Sequence, residues 1–171
     1  PVHLFGKSSN MNEILSLATK FKLKIIEDTA QSFGTQYNNK FLGTIGDIGC
    51  FSFFPTKTLG AYGDGGAITT DNKKLADRAR MLKNHGASRK YFNEIIGYNS
   101  RLDSIQASFL SMKLKKMTEF ISLRKKAGNF YNKILEKNEN LIIVDNHESS
   151  FNYYSIVLKN GDRDELQNYL N

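Results

Sequence analysis

Apolar residues recur along this chain at two periods, one helical and one extended, and their alternation sets out the fold. Ile14, Leu15, Leu17, Ala18 and Phe21 share one helical face, and Asn10-Met11-Asn12-Glu13 reads as its start, with Asn10 as N-cap and Glu13 reaching back. Val2-His3-Leu4-Phe5 predicts a strand before that helix, and residues 23–26 predict one after it, ending at Glu27-Asp28. Strand, helix and strand within about 25 residues form a βαβ unit, which implies parallel pairing under a covering helix. Turn-rich stretches follow at Asn38-Asn39-Lys40 and residues 43–49. Residues 50–54 predict a strand stopped by Pro55, and residues 67–70 another. Asp71 is placed to cap a helix with Leu75, Ala79 and Leu82 inward and Gly86 at C′. After a loop of about fifteen residues, residues 104–135 read as one long helix with Leu110, Leu114, Met117 and Ile121 on a stripe. Residues 141–144 and 153–158 predict two further strands, and there are no repeats or low-complexity tracts. The order of elements gives an α/β chain.

Composition narrows the class. The 171 residues are 40% hydrophobic and 24% charged, which suits a globular chain with a sizeable core. No apolar run approaches the ~20 residues of a membrane helix. Cys50 is the single cysteine, so an internal disulfide is excluded. These features set the expectation of a cytoplasmic protein without a membrane partner. The net charge of +7 favours anionic partners. Its densest cluster, Lys113, Lys115, Lys116, Arg124, Lys125 and Lys126, falls in the long helix and reads as a solvated face; no nucleic-acid fold signature accompanies it. A basic nucleic-acid-binding module is therefore a rival supported by charge alone. His3 and His147 lack neighbours at metal-ligand spacing, and no metal is expected.

The candidate chemistry centres on Lys57, which follows the apolar Cys50-Phe51-Ser52-Phe53-Phe54-Pro55 stretch and lies 29 residues after Asp28. A lysine that forms a Schiff base needs an apolar setting, because desolvation disfavours its ammonium form. A pyridoxal cofactor needs a carboxylate beside its ring nitrogen to keep the ring electron-poor. Lys57 and Asp28 have the types for those two jobs. Taken alone, Lys57 is also one of 24 basic residues, and Asp28 a helix cap or turn residue.

The surroundings decide more. Glu27-Asp28-Thr29-Ala30-Gln31, Phe51-Ser52-Phe53 with Lys57, Gly63-Asp64-Gly65-Gly66, His85-Gly86 and Gly97-Tyr98-Asn99-Ser100-Arg101 come in that order. Together, from about Val2 to about Leu170, they resemble the pyridoxal-phosphate-dependent sugar-nucleotide aminotransferases of the DegT/DnrJ/StrS type. The resemblance implies a fold-type-I architecture, a mostly parallel sheet covered by helices, with residues 1–125 in the cofactor domain and 126–171 beginning a small α+β domain. Family members are longer at both ends, so the expectation is an internal piece of such a protein.

The resemblance also distributes roles. Lys57 would bond to pyridoxal 5′-phosphate and serve as the catalytic base, and Asp28 would pair with the pyridine nitrogen. Gln31 would bond the phenolic oxygen, and Ser52 the phosphate as a neutral donor. Asn99 would reach across a homodimer to the partner's cofactor phosphate. Gln31 could instead be a surface glutamine, Ser52 a buried serine bonded to backbone, and Asn99 a turn residue. Arg101 and His85 read as structural, and Glu27 has no chemical role. The glycine run from Gly60 to Gly66 matches neither G-x-G-x-x-G nor a P-loop, and reads as close backbone approach beside the site. Lysine rather than histidine at position 57 favours amino transfer over dehydration. The implied reaction moves an amino group, from glutamate, to a keto group on a nucleotide-linked sugar for amino-sugar biosynthesis, with a weak lean toward C-3. The alternative is a pyridoxal-fold regulator without turnover.

Overall fold

The computed structural model describes residues 1–144 and 148–171; His147 lies outside the described residues. Helix α1 (Met11–Phe21) packs Met11 and Ala18 against Ile25, with Ile14 and Leu15 half-buried beside them. Leu17 and Phe21, expected on that buried face, are exposed. The capping box is not formed: Asn10 makes no cap bond, and its Oδ1 accepts from the Tyr37 hydroxyl at 3.2 Å. At the other end Lys22 takes φ 53°, and Leu23 N–H donates to Ala18 O at 2.9 Å. That Schellman closure takes up Lys22 and Leu23, and strand β1 starts later than expected, at Ile26–Asp28, and contains the acidic pair.

Two short strands, β2 (Gln36–Tyr37) and β3 (Lys40–Phe41), form a hairpin. Its turn residues Asn38 and Asn39 both have positive φ, as a two-residue hairpin turn requires. Strand β4 (Ile48–Ser52) runs parallel to β1, with Asp28 opposite Cys50. Strand β5 (Gly66–Thr69) lies antiparallel on its other side. Val2 bridges Asp28 in parallel, so two of these three pairings are parallel. The strand expected at residues 2–5 shrinks to that bridge. Phe5 and Gly6 (φ 50° and 106°) turn the chain instead, where a side chain on Gly6 would strike the Phe151 and Asn152 backbone.

Helix α2 (Lys73–Leu82) is capped by Asn72, whose Oδ1 accepts from Lys74 and Leu75 N–H, and not by Asp71. Leu75, Ala79 and Leu82 are only half-buried. Gly86 is not at C′: it follows the helix by four residues and donates to Met81 O at 2.8 Å. The expected loop carries a small hairpin, β6 (Ala87–Arg89) with β7 (Phe92–Asn93). The long helix is two helices, α3 (Ser104–Leu114) and α4 (Met117–Leu135), broken at Lys115-Lys116. Of the apolar stripe, Leu110 and Met117 are buried, while Leu114, the last residue of α3, is exposed. The main core joins Phe53, Leu59, Ala61, Leu110 and Met117, with Phe33, Phe51, Leu102, Phe120 and Ile121 around them. Strands β8 (Leu141–Ile143) and β9 (Ile156–Leu158) pair antiparallel, and α5 (Arg163–Leu170) follows, capped by Asp162. Among the described residues, no helix is long and apolar enough to cross a membrane.

Candidate active site

Adjacent parallel strands β1 and β4 end side by side, and an open α/β sheet places ligands beyond such carboxyl ends. Asp28 closes β1. Its backbone is fixed on both sides: His3 N–H donates to Asp28 O at 3.0 Å, and Asp28 N–H to Pro1 O at 2.9 Å. Its Oδ1 accepts from Ala30 N–H at 3.0 Å, a local turn of the kind expected of any aspartate. The side chain is nonetheless exposed, and among the described residues Oδ2 has no hydrogen-bond partner. Burial and the Asp28 charge together push the neighbouring Cys50 thiol up.

Gln31 is not a surface residue: it is half-buried, and its Oε1 is shielded from solvent without a hydrogen-bond partner. A buried amide oxygen left so is costly, and marks a side chain whose partners are incomplete. Ser52 ends β4 on the face opposite Phe51 and Phe53, which both enter the core. Its Oγ accepts from Phe54 N–H at 3.3 Å, which leaves the hydroxyl proton available to donate. Pro55 then ends the extended run, and Lys57 N–H closes a turn on Phe54 O at 2.9 Å. Lys57 is half-buried, with Nζ 5.9 Å from the centroid of the Tyr153 ring. The turn is compact because Gly60 presses on the Pro55 carbonyl, where a Cβ would collide. Helix α3 holds the following loop: Gln106 bonds both the N–H and the carbonyl of Tyr62 (2.8 and 3.0 Å), and Lys113 Nζ donates to Gly60 O at 2.6 Å.

Asn99 belongs to another neighbourhood. It is exposed and bridges Asn84 beyond α2, between Tyr98 N–H on Leu82 O (2.7 Å) and Ser100 N–H on Lys83 O (2.9 Å). Arg101 Nη1 donates to Asn84 Oδ1 at 3.1 Å, a structural contact as expected. Within the basic cluster Lys115, Lys116, Lys125 and Lys126 are exposed, but Lys113 and Arg124 are not solvated charges. Arg124 donates to the Phe151 and Asn152 carbonyls at 3.1 and 3.5 Å.

Glu27, expected to have no chemical role, and His3, expected to bind no metal, form a buried pair. Glu27 is fully buried and accepts from His3 Nε2 (3.1 Å) and from the N–H groups of Gly43, Ile45 and Gly46 (2.9, 2.8 and 2.7 Å). His3 Nδ1 accepts from Ser9 N–H at 3.1 Å, so the ring carries its proton on Nε2, toward the carboxylate. Burial pushes the Glu27 carboxyl up, but these hydrogen bonds outweigh it and bring it from 4.5 to about 2. The buried acid pins the loop at Gly43–Gly46 to the strand end that carries Asp28. Among the described residues, no group of three His, Cys, Asp or Glu side chains is arranged to hold a metal ion.

The model of the DegT/DnrJ/EryC1/StrS aminotransferase family matches residues 1–171. A "pleiotropic regulatory protein" of Geobacillus stearothermophilus is 40% identical over 99% of this chain and 46% of its own. A UDP-N-acetyl-3-dehydro-alpha-D-glucosamine 3-aminotransferase of Acidithiobacillus ferrooxidans is 45% identical over 77% of this chain and 36% of its own. The crystal structure of NtdA from Bacillus subtilis, with bound cofactor PMP, superposes with a TM-score of 0.86 at 30% identity, covering 99% of this chain and 40% of that one. The chain thus spans less than half the length of these proteins.

Proposed function

The chain belongs to the DegT/DnrJ/EryC1/StrS aminotransferase family, with the fold-type-I architecture, and from that premise we propose that its protein transfers an amino group to a keto carbon of a nucleotide-linked sugar. The observation that carries the reading is the cluster at the β1 and β4 ends. There, among the described residues, Asp28 Oδ2, the Ser52 O–H and the shielded Gln31 amide oxygen have no hydrogen-bond partner, and Lys57 follows one turn later.

These groups fit pyridoxal 5′-phosphate, which when bound supplies an electron sink for a carbanion at the substrate carbon. Asp28 holds the ring nitrogen by charge and keeps the ring electron-poor. Ser52 donates its hydroxyl proton to a phosphate oxygen. Gln31 would donate an amide N–H to the phenolic oxygen. Lys57 would provide the covalent attachment, and its amine would act as the base that moves the proton between the substrate carbon and the cofactor. Asn99, exposed and outside this cluster, serves the partner's phosphate in a homodimer. We assign residues 1–125 to the cofactor domain and 126–171 to the start of a small domain that docks back through Ser150 N–H on Gly6 O (2.9 Å). The donor is glutamate and the setting cytoplasmic.

The Acidithiobacillus relative is named as a 3-aminotransferase on a UDP-linked sugar, which agrees with amination at C-3. The test is a panel of dTDP- and UDP-linked 3-keto and 4-keto hexoses with glutamate, followed by 2-oxoglutarate release. Turnover on linked 3-keto sugars, with little on the free sugars, is expected. Comparable rates on unlinked sugars or ordinary 2-oxo acids would overturn the substrate class, and activity confined to 4-keto sugars only the carbon. The Geobacillus relative, named as a regulatory protein, favours a second reading: a cofactor-binding regulator without turnover. The intact Lys57, Asp28, Gln31 and Ser52 set supports the enzyme, and the same panel separates the two.

A further inference from the structure

We propose that Tyr153 is a positioning residue for Lys57, its ring face holding the lysine ammonium whenever the amine is not bonded to the cofactor. The inference rests on the amino-transfer reading, in which Lys57 spends part of each cycle free and carries a proton. A lysine has a long, flexible stem, and a free amine that wanders does not deliver its proton to one carbon. Lys57 Nζ lies 5.9 Å from the Tyr153 ring centroid, within reach of the attraction between a cation and the negative face of a ring.

The two residues are held in register by their neighbours. Thr58, next to Lys57, donates its hydroxyl to Asn152 Oδ1 at 3.2 Å, and Asn152 is next to Tyr153. That bond is buried, so it couples the Lys57 turn to the Tyr153 segment with little water to compete. The segment itself is fixed from three sides. Tyr153 N–H donates to Phe5 O at 3.4 Å, and Arg124 Nη1 holds the Phe151 and Asn152 carbonyls. Phe151 has φ 49°, an unfavourable conformation for a bulky residue, and its ring fits only because Gly128 lacks a Cβ. This left-handed turn lies two residues before Tyr153. Tyr153 is 45% exposed, so the ring is a wall of the open site rather than a core residue.

The experiment uses the intact protein freed of cofactor and treated with limiting acetic anhydride. Acetylation at Lys57 is read by peptide mass spectrometry against exposed Lys137. Tyr153→Leu keeps apolar volume but removes the ring face, and should speed acetylation of Lys57 about two- to five-fold. Tyr153→Phe should match the wild type. An unchanged rate in Tyr153→Leu, or an equal rise in Tyr153→Phe, overturns the proposal. In the cofactor-loaded enzyme Tyr153→Leu should lower kcat with KM for the keto sugar unchanged, whereas a matching rise in KM would make Tyr153 a substrate contact instead. The acetylation result stands even if the sugar panel fails, so the two readings fall separately.

Discussion

His3 Nε2 donates to the Glu27 carboxylate at 3.1 Å, and both side chains are fully shielded from water. The pair joins the first residues of the chain, strand β1 and the Gly43–Gly46 loop around one buried charge, one residue before Asp28. Because the folded-state pKa of Glu27 is depressed from 4.5 to about 2, its contribution to stability is present above about pH 4.5 and is lost as pH falls toward 2. This group alone should cost about 2 kcal/mol between pH 6 and pH 3. Glu27→Gln should lower stability at pH 7 by roughly 3 kcal/mol, since the amide cannot accept every N–H that the carboxylate does, and should flatten the acid limb. Denaturant midpoints of both proteins across that range are the check; parallel pH curves would contradict the assignment.

For Asp28 the expected effect is on chemistry and not on folding. Asn in its place can keep the turn that Oδ1 makes with Ala30 N–H, because an amide oxygen accepts as a carboxylate oxygen does. Asp28→Asn should therefore hold its thermal midpoint and still take up cofactor, while turnover drops by orders of magnitude. Near-normal turnover would reduce Asp28 to a turn residue.

Much of this arrangement is legible in the chain because its causes are local. Asn38-Asn39 marks a turn, Pro55 stops β4, and the alternation of Phe51, Ser52 and Phe53 sorts core from site. The break between α3 and α4 is different: Lys115 and Lys116 are ordinary helix formers without proline or glycine, and the apolar stripe crosses them unbroken. The β6–β7 turn is likewise silent, because Tyr91 takes φ 68° where Gly or Asn would have announced it. Helix ends misled by one residue where two polar residues compete, Asp71 against Asn72. The His3–Glu27 bond spans 24 residues and rests on burial, which no periodicity encodes. At the site, the types and order of Lys57, Asp28, Gln31 and Ser52 carry the reading, whereas Tyr153 enters only through the fold.

Asn99 provides a prediction about assembly. If it completes the partner's site, Asn99→Ala and Lys57→Ala subunits are each inactive alone, yet mixing them should restore part of the activity. In the hybrid, one site keeps its own Lys57 and receives Asn99 from the other chain, as an isologous dimer requires. Recovery on mixing, together with a dimer in sedimentation at assay concentration, is the expected outcome. A fully active monomer would contradict it.

The claim on which the rest depends is that Lys57 bonds the cofactor. The direct measurement is borohydride reduction of the intact protein loaded with pyridoxal 5′-phosphate, followed by peptide mass spectrometry. The account predicts the reduced pyridoxyl group on Lys57 and its loss in Lys57→Ala, which should keep its fold and lose turnover. A label on any other lysine, or none on Lys57, would contradict it.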